Sequence, residues 1–401
     1  MRKLPPSGTP VSLSDLSFWL GTIFFRQKEV ERFACSISVQ NNVDHCFLLS
    51  TGRAAMALLL QCLAEQADPQ KNSVIIPSYT CYSVPSSIVK AGLNVKVCDI
   101  DTKTLDYDYY KLEGMDFSEV LAIVSGNLYG IPNNLERLES LAREKNIRFI
   151  DDAAQSMGAR STSGRLAGTY GDAGIFSLDK GKVITSMNGG IIVTRSAELS
   201  TAIRSKIEDL SSPSAIWCMM ETVKMLIYSF FLHPSRYWIP AALPFLKLGT
   251  TSYTTEYPVE KYNTWLSGLA HRLSERLPEI NRIRIENGKY YRDNLPTSKY
   301  LRHIELQPNS KPIYLRYPIR ITDSGLRSNV LKVLGDMRLG VTGSYPRSIV
   351  DIEQLHKFFR EEKDNLGGKT VANQILTLPT HPFVSRADQN RIITLVNDIL
   401  S

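Results

Sequence analysis

Three short stretches hold residue types that could share one chemistry. In FSLDKGKVITSMNGG, residues 176–190, Lys180 and Lys182 lie between apolar runs, ahead of Gly189-Gly190. A lysine held near a desolvated site can lose its proton and act as a nucleophilic amine. The competing reading is a solvated turn. In LLSTGRAAMALLLQCLAEQ, residues 48–66, Ser50-Thr51-Gly52 ends an apolar run and opens a helix. The free amides of a first helical turn favour an anion such as phosphate, although Ser-Thr-Gly is also an ordinary cap. In FIDDAAQSMGA, residues 149–159, Asp151 and Asp152 close a strand. Side chains alternate along a strand, so only one of the two faces a site there, and Ala153 and Ala154 leave room for a flat ring. The same aspartates would serve as turn caps. The set offers a phosphate cradle, a carboxylate and an amine. A lysine-bound aldehyde cofactor needs these three and an apolar or aromatic cover for its ring.

Such groups need elements to hold them. SVIIPS (73–78), NVKVCDID (94–101), EVLAIVSG (119–126) and IRFIDDAA (147–154) are short apolar runs bounded by Gly, Pro, Asp or Asn, the pattern of buried strands. NNLERLESLAREKN (133–146) places Leu135, Leu138, Leu141 and Ala142 at helical spacing behind asparagine caps. This rhythm predicts an α/β fold with a mostly parallel central sheet flanked by helices, whose functional groups gather at the C-terminal strand ends. A long helix is expected over about 262–295, then a smaller C-terminal α/β unit. In that unit PIYLRYPIRI reads as strand, GLRSNVLKVLGDM as helix, ANQILTLPTHP as strand and turn, and RADQNRIITLVNDIL as the last helix. The boundary falls near 290, giving a large unit of 1–290 and a small one of 291–401.

Composition narrows the class. The chain has 401 residues, 43% hydrophobic and 22% charged, which suits a soluble two-domain protein. A net charge of +7 fits an anionic substrate or a negatively charged surface. No basic arm or RNA-binding aromatic signature accompanies it, so no nucleic acid is expected. The six cysteines form no C-x-x-C pair and the six histidines show no ligand spacing, so no metal or disulfide is expected; reduced thiols point to the cytoplasm. The first twenty residues do not read as a signal peptide. An insertion over about 205–260 contains WCMMETVKMLIYSFFLHPSRYWIPAALPFLKLG (217–249), crowded with large apolar side chains. It is too interrupted for the roughly 18 apolar residues of a membrane span. It reads as a buried helix pair or subunit interface, or as a segment resting on the inner membrane face with Lys and Arg at headgroup level. LSFWLGTIFF (16–25) could join either surface.

Residues 50–195 resemble the DegT/DnrJ/StrS-type aminotransferases. The phrases that carry the likeness are STGRAAMALLL, VIIPSYTCYSVPSSIVKAGLNVKVCDIDTKTLDYD, NLYGIPNNLERLESLAREKNIRFIDDAAQSMGA and GDAGIFSLDKGKVITSMNGG, joined in the tail by VTGSYPR and LTLPTHP. The resemblance implies pyridoxal-phosphate fold type I: a large cofactor domain, a smaller C-terminal α/β domain and a homodimer with shared sites. Carried onto this chain, it makes Lys182, five positions after Ser177, the Schiff-base lysine, and Lys180 a loop charge. It sets Asp152 on the ring nitrogen, Gln155 on the ring hydroxyl and Ser177 on the phosphate. The backbone amides of Arg53 and Ala54, after Gly52, complete the cradle. Cys81 stands where the family has its aromatic ring cover, with Tyr82 beside it as the substitute. The chain departs from the family at NLYG (127–130), MNGG (187–190) and KYNTWLSGLAHRL (261–273).

The implied activity moves an amino group from an amino acid such as glutamate to a keto-sugar, most often nucleotide-linked, in polysaccharide or secondary-metabolite synthesis. Family sugar dehydratases carry histidine where this chain has Lys182, which argues against that class. Two further readings are the same chemistry on a lipid-linked substrate at a membrane and a non-catalytic relative that binds the cofactor.

Overall fold

The structure, a computed structural model, describes residues 2–243, 252–359 and 365–401. Seven strands form the main sheet: β1 (His45–Leu49), β2 (Ser73–Pro77), β3 (Asn94–Cys98), β4 (Val120–Val124), β5 (Arg148–Asp152), β6 (Ala173–Ser177) and β7 (Gly190–Thr194). Their order is β1-β7-β6-β5-β4-β2-β3. The sheet is parallel from β3 to β6, and β7 runs against both β6 and β1. Strands β2, β4, β6 and β7 are buried along their whole length, which is why they read as unbroken apolar runs. Their two faces feed different cores. Ile75, Ile123 and Phe149 pack with Leu135, Leu138 and Leu141 of the helix Leu135–Glu144. Val74, Ile76, Val124 and Ile150 pack with Ala55, Leu59 and Leu63 of the helix Gly52–Glu65.

The reversed strand β7 organises the functional edge. Its first residue, Gly190, pairs with Leu49 on one side and Ser177 on the other. The C-terminal ends of β1 and β6 therefore meet on the edge where β5 ends in Asp151 and Asp152. A Cβ on Gly190 would stand 2.2 Å from the Thr51 carbonyl oxygen, so this close crossing requires glycine.

A second, antiparallel sheet of β8 (Leu301–His303), β9 (Tyr317–Ile321) and β10 (Ile375–Leu378) runs in the order β10-β9-β8. Helices Ser324–Asp336, Leu366–Gln374 and Arg386–Leu400 cover it through Val330, Leu334, Val371, Ile392 and Val396. The same core takes in Tyr79, Leu128 and Tyr129 from loops of the main sheet, so the two units share apolar contact.

Three expectations change. The helix over 262–295 is divided into a 3₁₀ turn Thr264–Leu266, a helix Ser267–Glu275 and a helix Leu277–Asn294. Pro278, in the first turn of the last, has no amide to continue the preceding ladder. A boundary at 290 falls inside that last helix. PIYLRYPIRI is strand only from Tyr317 onward. The described part of the 217–249 stretch is not a fully buried helix pair: it holds most of the helix Ala215–Phe231 and the short helix Trp238–Ala241, while residues 244–249 lie outside the described residues. One face of the longer helix buries Cys218, Glu221, Thr222 and Met225. The opposite face leaves Ile216, Met219, Val223, Ile227 and Phe230 exposed. No helix among the described residues is long and apolar enough to cross a membrane.

Candidate active site

After β6 the chain loops through residues 178–189 before returning as β7. Lys180 is exposed and Lys182 half-buried. The Lys182 amide donates to the Asp179 carbonyl at 3.1 Å. From the N-terminal segment, the Thr9 hydroxyl donates to the carbonyls of Lys182, at 3.1 Å, and Val183. The backbone that carries the amine is thus clamped by a residue 173 positions away.

Asp152 and Asp151 part as strand alternation requires. Asp151 is fully buried and spends both oxygens on structure: Oδ1 accepts from Ser125 Oγ (3.0 Å) and Asn127 Nδ2 (2.7 Å), and Oδ2 from the amides of Gly168 (2.6 Å) and Tyr170 (3.3 Å). Asp152 accepts one bond at Oδ1, from the Ala154 amide at 2.9 Å, and Oδ2 accepts none among the described residues. Burial pushes the Asp152 carboxyl up to about 6, against the Ala154 bond and the positive charge of Lys182, which pull it down. Lys182 is therefore near enough to Asp152 for its field to be felt.

Ser177 ends β6 against the start of the helix Gly52–Glu65. A Cβ on Gly52 would stand 3.1 Å from Ser177 Cβ and 3.2 Å from its Oγ, so glycine keeps this crevice open. The cradle differs from expectation at Ala54: its amide donates to Thr51 Oγ1 at 3.0 Å, because Thr51 caps the helix. The first-turn amides left for an anion are those of Gly52 and Arg53. The Arg53 guanidinium lies 4.8 Å from the centre of the Tyr257 ring.

Gln155 is tied on both sides: Oε1 accepts from the Tyr129 amide at 3.0 Å, and Nε2 donates to the Tyr345 hydroxyl at 2.9 Å. Tyr82 and Cys81 reach the same neighbourhood. The Tyr82 ring lies 5.7 Å from that of Tyr345, and its hydroxyl exchanges bonds with the Arg347 carbonyl (3.0 Å) and amide (2.9 Å). Cys81 Sγ accepts from Ser83 Oγ at 2.9 Å.

Sequence reasoning passed over several residues that build this place. Asn127 binds the Asp151 carboxylate and the Asp152 carbonyl, holding the two strand ends together. Tyr129, Met187 and Ser344 adopt positive φ, at 59°, 66° and 58°, within NLYG, MNGG and GSYP. A bulky residue in that region signals a constrained backbone. The departure of NLYG and MNGG from the family pattern was the available signal. Tyr345 lies in the phrase VTGSYPR, which carried the resemblance without giving it a role, and nothing in the sequence pointed to Thr9 or Ser7. His381 is buried with Nε2 on the Pro5 carbonyl at 2.8 Å, and burial lowers it to about 3, which keeps it neutral.

A family model described as the DegT/DnrJ/EryC1/StrS aminotransferase family matches residues 20–213 and 268–397. The chain belongs to this family. Between the two matched stretches, residues 214–267 contain the apolar helix Ala215–Phe231. Among curated relatives, a GDP-4-keto-6-deoxy-D-mannose 3-dehydratase of Yersinia pseudotuberculosis is 34% identical over 180 residues, 44% of this chain and 46% of that protein. An L-glutamine:2-deoxy-scyllo-inosose aminotransferase of Streptoalloteichus tenebrarius is 33% identical over 169 residues, 42% and 39% of the two chains. The matched part is thus less than half the length of these relatives. The E. coli GDP-4-keto-6-deoxy-D-mannose-3-dehydratase, solved with bound hydrated PLP, shares the fold with a TM-score of 0.79, at 18% identity over 100% of both chains.

Proposed function

We propose that this protein is a pyridoxal-phosphate-dependent aminotransferase that passes an amino group from an amino acid to a keto-sugar of the nucleotide-linked class, in the synthesis of a surface polysaccharide or secondary metabolite. One observation carries the reading. The half-buried Lys182 sits in the field of a buried carboxylate, Asp152, that keeps one oxygen open, beside a glycine-opened helix N-terminus. These residues fit the cofactor. Gly52, Arg53 and Ser177 would hold its phosphate, Asp152 its ring nitrogen and Gln155 its ring hydroxyl, with Cys81, Tyr82 and Tyr345 nearest the ring.

Pyridoxal phosphate supplies, when bound, an aldehyde and a protonated ring that withdraws electrons from the substrate Cα. Asp152, ionised, keeps a negative charge beside that ring. Lys182 would be the residue that holds the aldehyde, and its amine, when free, would serve as the base and acid that moves the proton at the substrate Cα. The clamp from Thr9 fixes where that amine stands. The Yersinia pseudotuberculosis relative is a dehydratase, yet the lysine at 182 supports transamination. The donor is glutamate or, as in the name of the second relative, glutamine.

A homodimer accounts for the exposed apolar face of the helix Ala215–Phe231. Its exposed Ile, Met, Val and Phe side chains match the cores of subunit interfaces. Its one lysine, Lys224, is already paired with Glu221 at 2.7 Å, whereas a helix that rests on lipid carries a row of unpaired cations. The six free cysteines support a cytoplasmic setting, and the two working parts, 1–290 and 291–401 by the sequence, meet within the helix Leu277–Asn294.

The test is chemical. Reduction of the cofactor-loaded protein with borohydride, followed by digestion, should leave the cofactor mass on the peptide bearing Lys182. L-glutamate or L-glutamine should shift the absorption of the unreduced sample. A label on Lys180, or none, ends the proposal.

A further inference from the structure

Arg316 stands immediately before β9 and is half-buried without a carboxylate partner among the described residues. Its guanidinium donates to two hydroxyls, Thr342 Oγ1 at 3.2 Å and Ser7 Oγ at 3.3 Å. The phenols of Tyr345, Tyr129 and Tyr237 lie around it, each held neutral by burial. A second guanidinium, Arg284, is close enough to be repelled by it. Arg284 is completely buried, donates to the carbonyls of Leu315 and Gly8 at 2.9 Å each, and leaves Nε buried without a partner. A buried and a half-buried cation with no carboxylate partner among the described residues are costly, and an arriving anion would relieve that cost.

The position ties this charge to the site. Tyr345 and Tyr129 are the two residues that hold Gln155. Ser7, which anchors Arg316, packs on the lysine loop: a Cβ on Gly181 would stand 2.5 Å from Ser7 Oγ. Arg316 thus enters from the small sheet and bonds the residue that packs on Gly181, next to Lys182.

We infer that Arg316, steadied by Ser7 and Thr342, binds the carboxylate of the amino donor. This rests on the transaminase reading above. Two of the guanidinium's five N–H groups are given to hydroxyls, and the remaining three suit one planar carboxylate. A diphosphate would call for more positive charge than one such fork provides.

The experiment uses the cofactor-loaded protein, wild type, Arg316→Met and Arg316→Lys. Glutarate, an unreactive dicarboxylate, is titrated calorimetrically, and L-glutamate and its α-amide are compared through the absorption change. Arg316→Met should weaken glutarate binding and raise the half-saturating L-glutamate concentration roughly 30- to 100-fold, with cofactor affinity unchanged. Wild type should prefer L-glutamate to the α-amide, and Arg316→Met should not. Arg316→Lys, which retains the charge, should recover part of the glutarate affinity, separating charge loss from misfolding. Equal glutarate affinity in wild type and Arg316→Met, or a defect confined to the keto-sugar KM, overturns the inference. A wild type that responds to neither donor sinks the transaminase reading instead, and the glutarate titration still decides Arg316.

Discussion

Asp152, in the role proposed for it, needs a charge where burial disfavours one. In the unfolded chain it ionises near the ordinary aspartate value of about 3.9. In the folded protein burial moves it to about 6. Between those values the folded state binds more protons, so the cofactor-free protein loses stability as pH rises from about 4 to about 6, and the loss is complete above that window. Asp152→Asn, which keeps the acceptor for the Ala154 amide, should therefore stabilise the cofactor-free protein at pH 8 by about 2–3 kcal/mol in urea unfolding. The same change should weaken cofactor binding. In wild type, cofactor affinity should fall about tenfold per pH unit below about 6, as read by absorption titration. Gly52→Ala gives another opposed pair. Helix propensity favours alanine, yet its Cβ would stand 3.1 Å from Ser177 Cβ, so the melting temperature should hold while cofactor affinity drops about tenfold.

The reversed strand β7 and the apolar helix both act on the lysine loop. Gly190→Ala would drive a Cβ to 2.2 Å from a backbone oxygen of Thr51, where no side chain can yield. It should destabilise by about 3 kcal/mol or more and strip the cofactor, measured by thermal melting of the loaded protein. On the other side of the loop, Asn188 Nδ2 donates to Glu221 Oε2 at 2.9 Å, while Asn188 Oδ1 is buried without a partner. Glu221→Ala would orphan the rest of the Asn188 amide and free Lys224. It should cost about 1–3 kcal/mol and slow turnover more than it changes cofactor affinity. A helix outside the family model thus supports the loop that the family requires.

Across the whole molecule, the N-terminal segment ties both sheets to the site. Arg2 pairs with Asp388, the Pro5 carbonyl accepts from His381, Ser7 accepts from Arg316, the Gly8 carbonyl accepts from Arg284, and Thr9 holds the lysine loop. The exposed apolar face defines the other molecular-scale outcome. Ile227→Glu combined with Phe230→Glu should convert a dimer to a monomer in light scattering and leave the melting temperature nearly unchanged, since both side chains are more than half exposed. Flotation of the wild type with anionic liposomes would show that the face serves lipid instead.

The strands and the helix Leu135–Glu144 were legible because burial on two faces and helical periodicity are local patterns. Lys182, Asp152 and Ser177, the residues of the proposed site, stand in motifs in which neighbours in sequence are neighbours in space. The sequence by itself thus determined the α/β class and the helix N-terminus beside the strand ends, and it singled out the short phrases on which the proposal rests. Only the tertiary structure decided that Asp151 is spent on the scaffold, that the Ala54 amide is taken by its cap, and that Thr9 and, through Ser7, Arg316, from opposite ends of the chain, reach the same loop. Those contacts join residues far apart in sequence, and no local periodicity records a partner that arrives by folding.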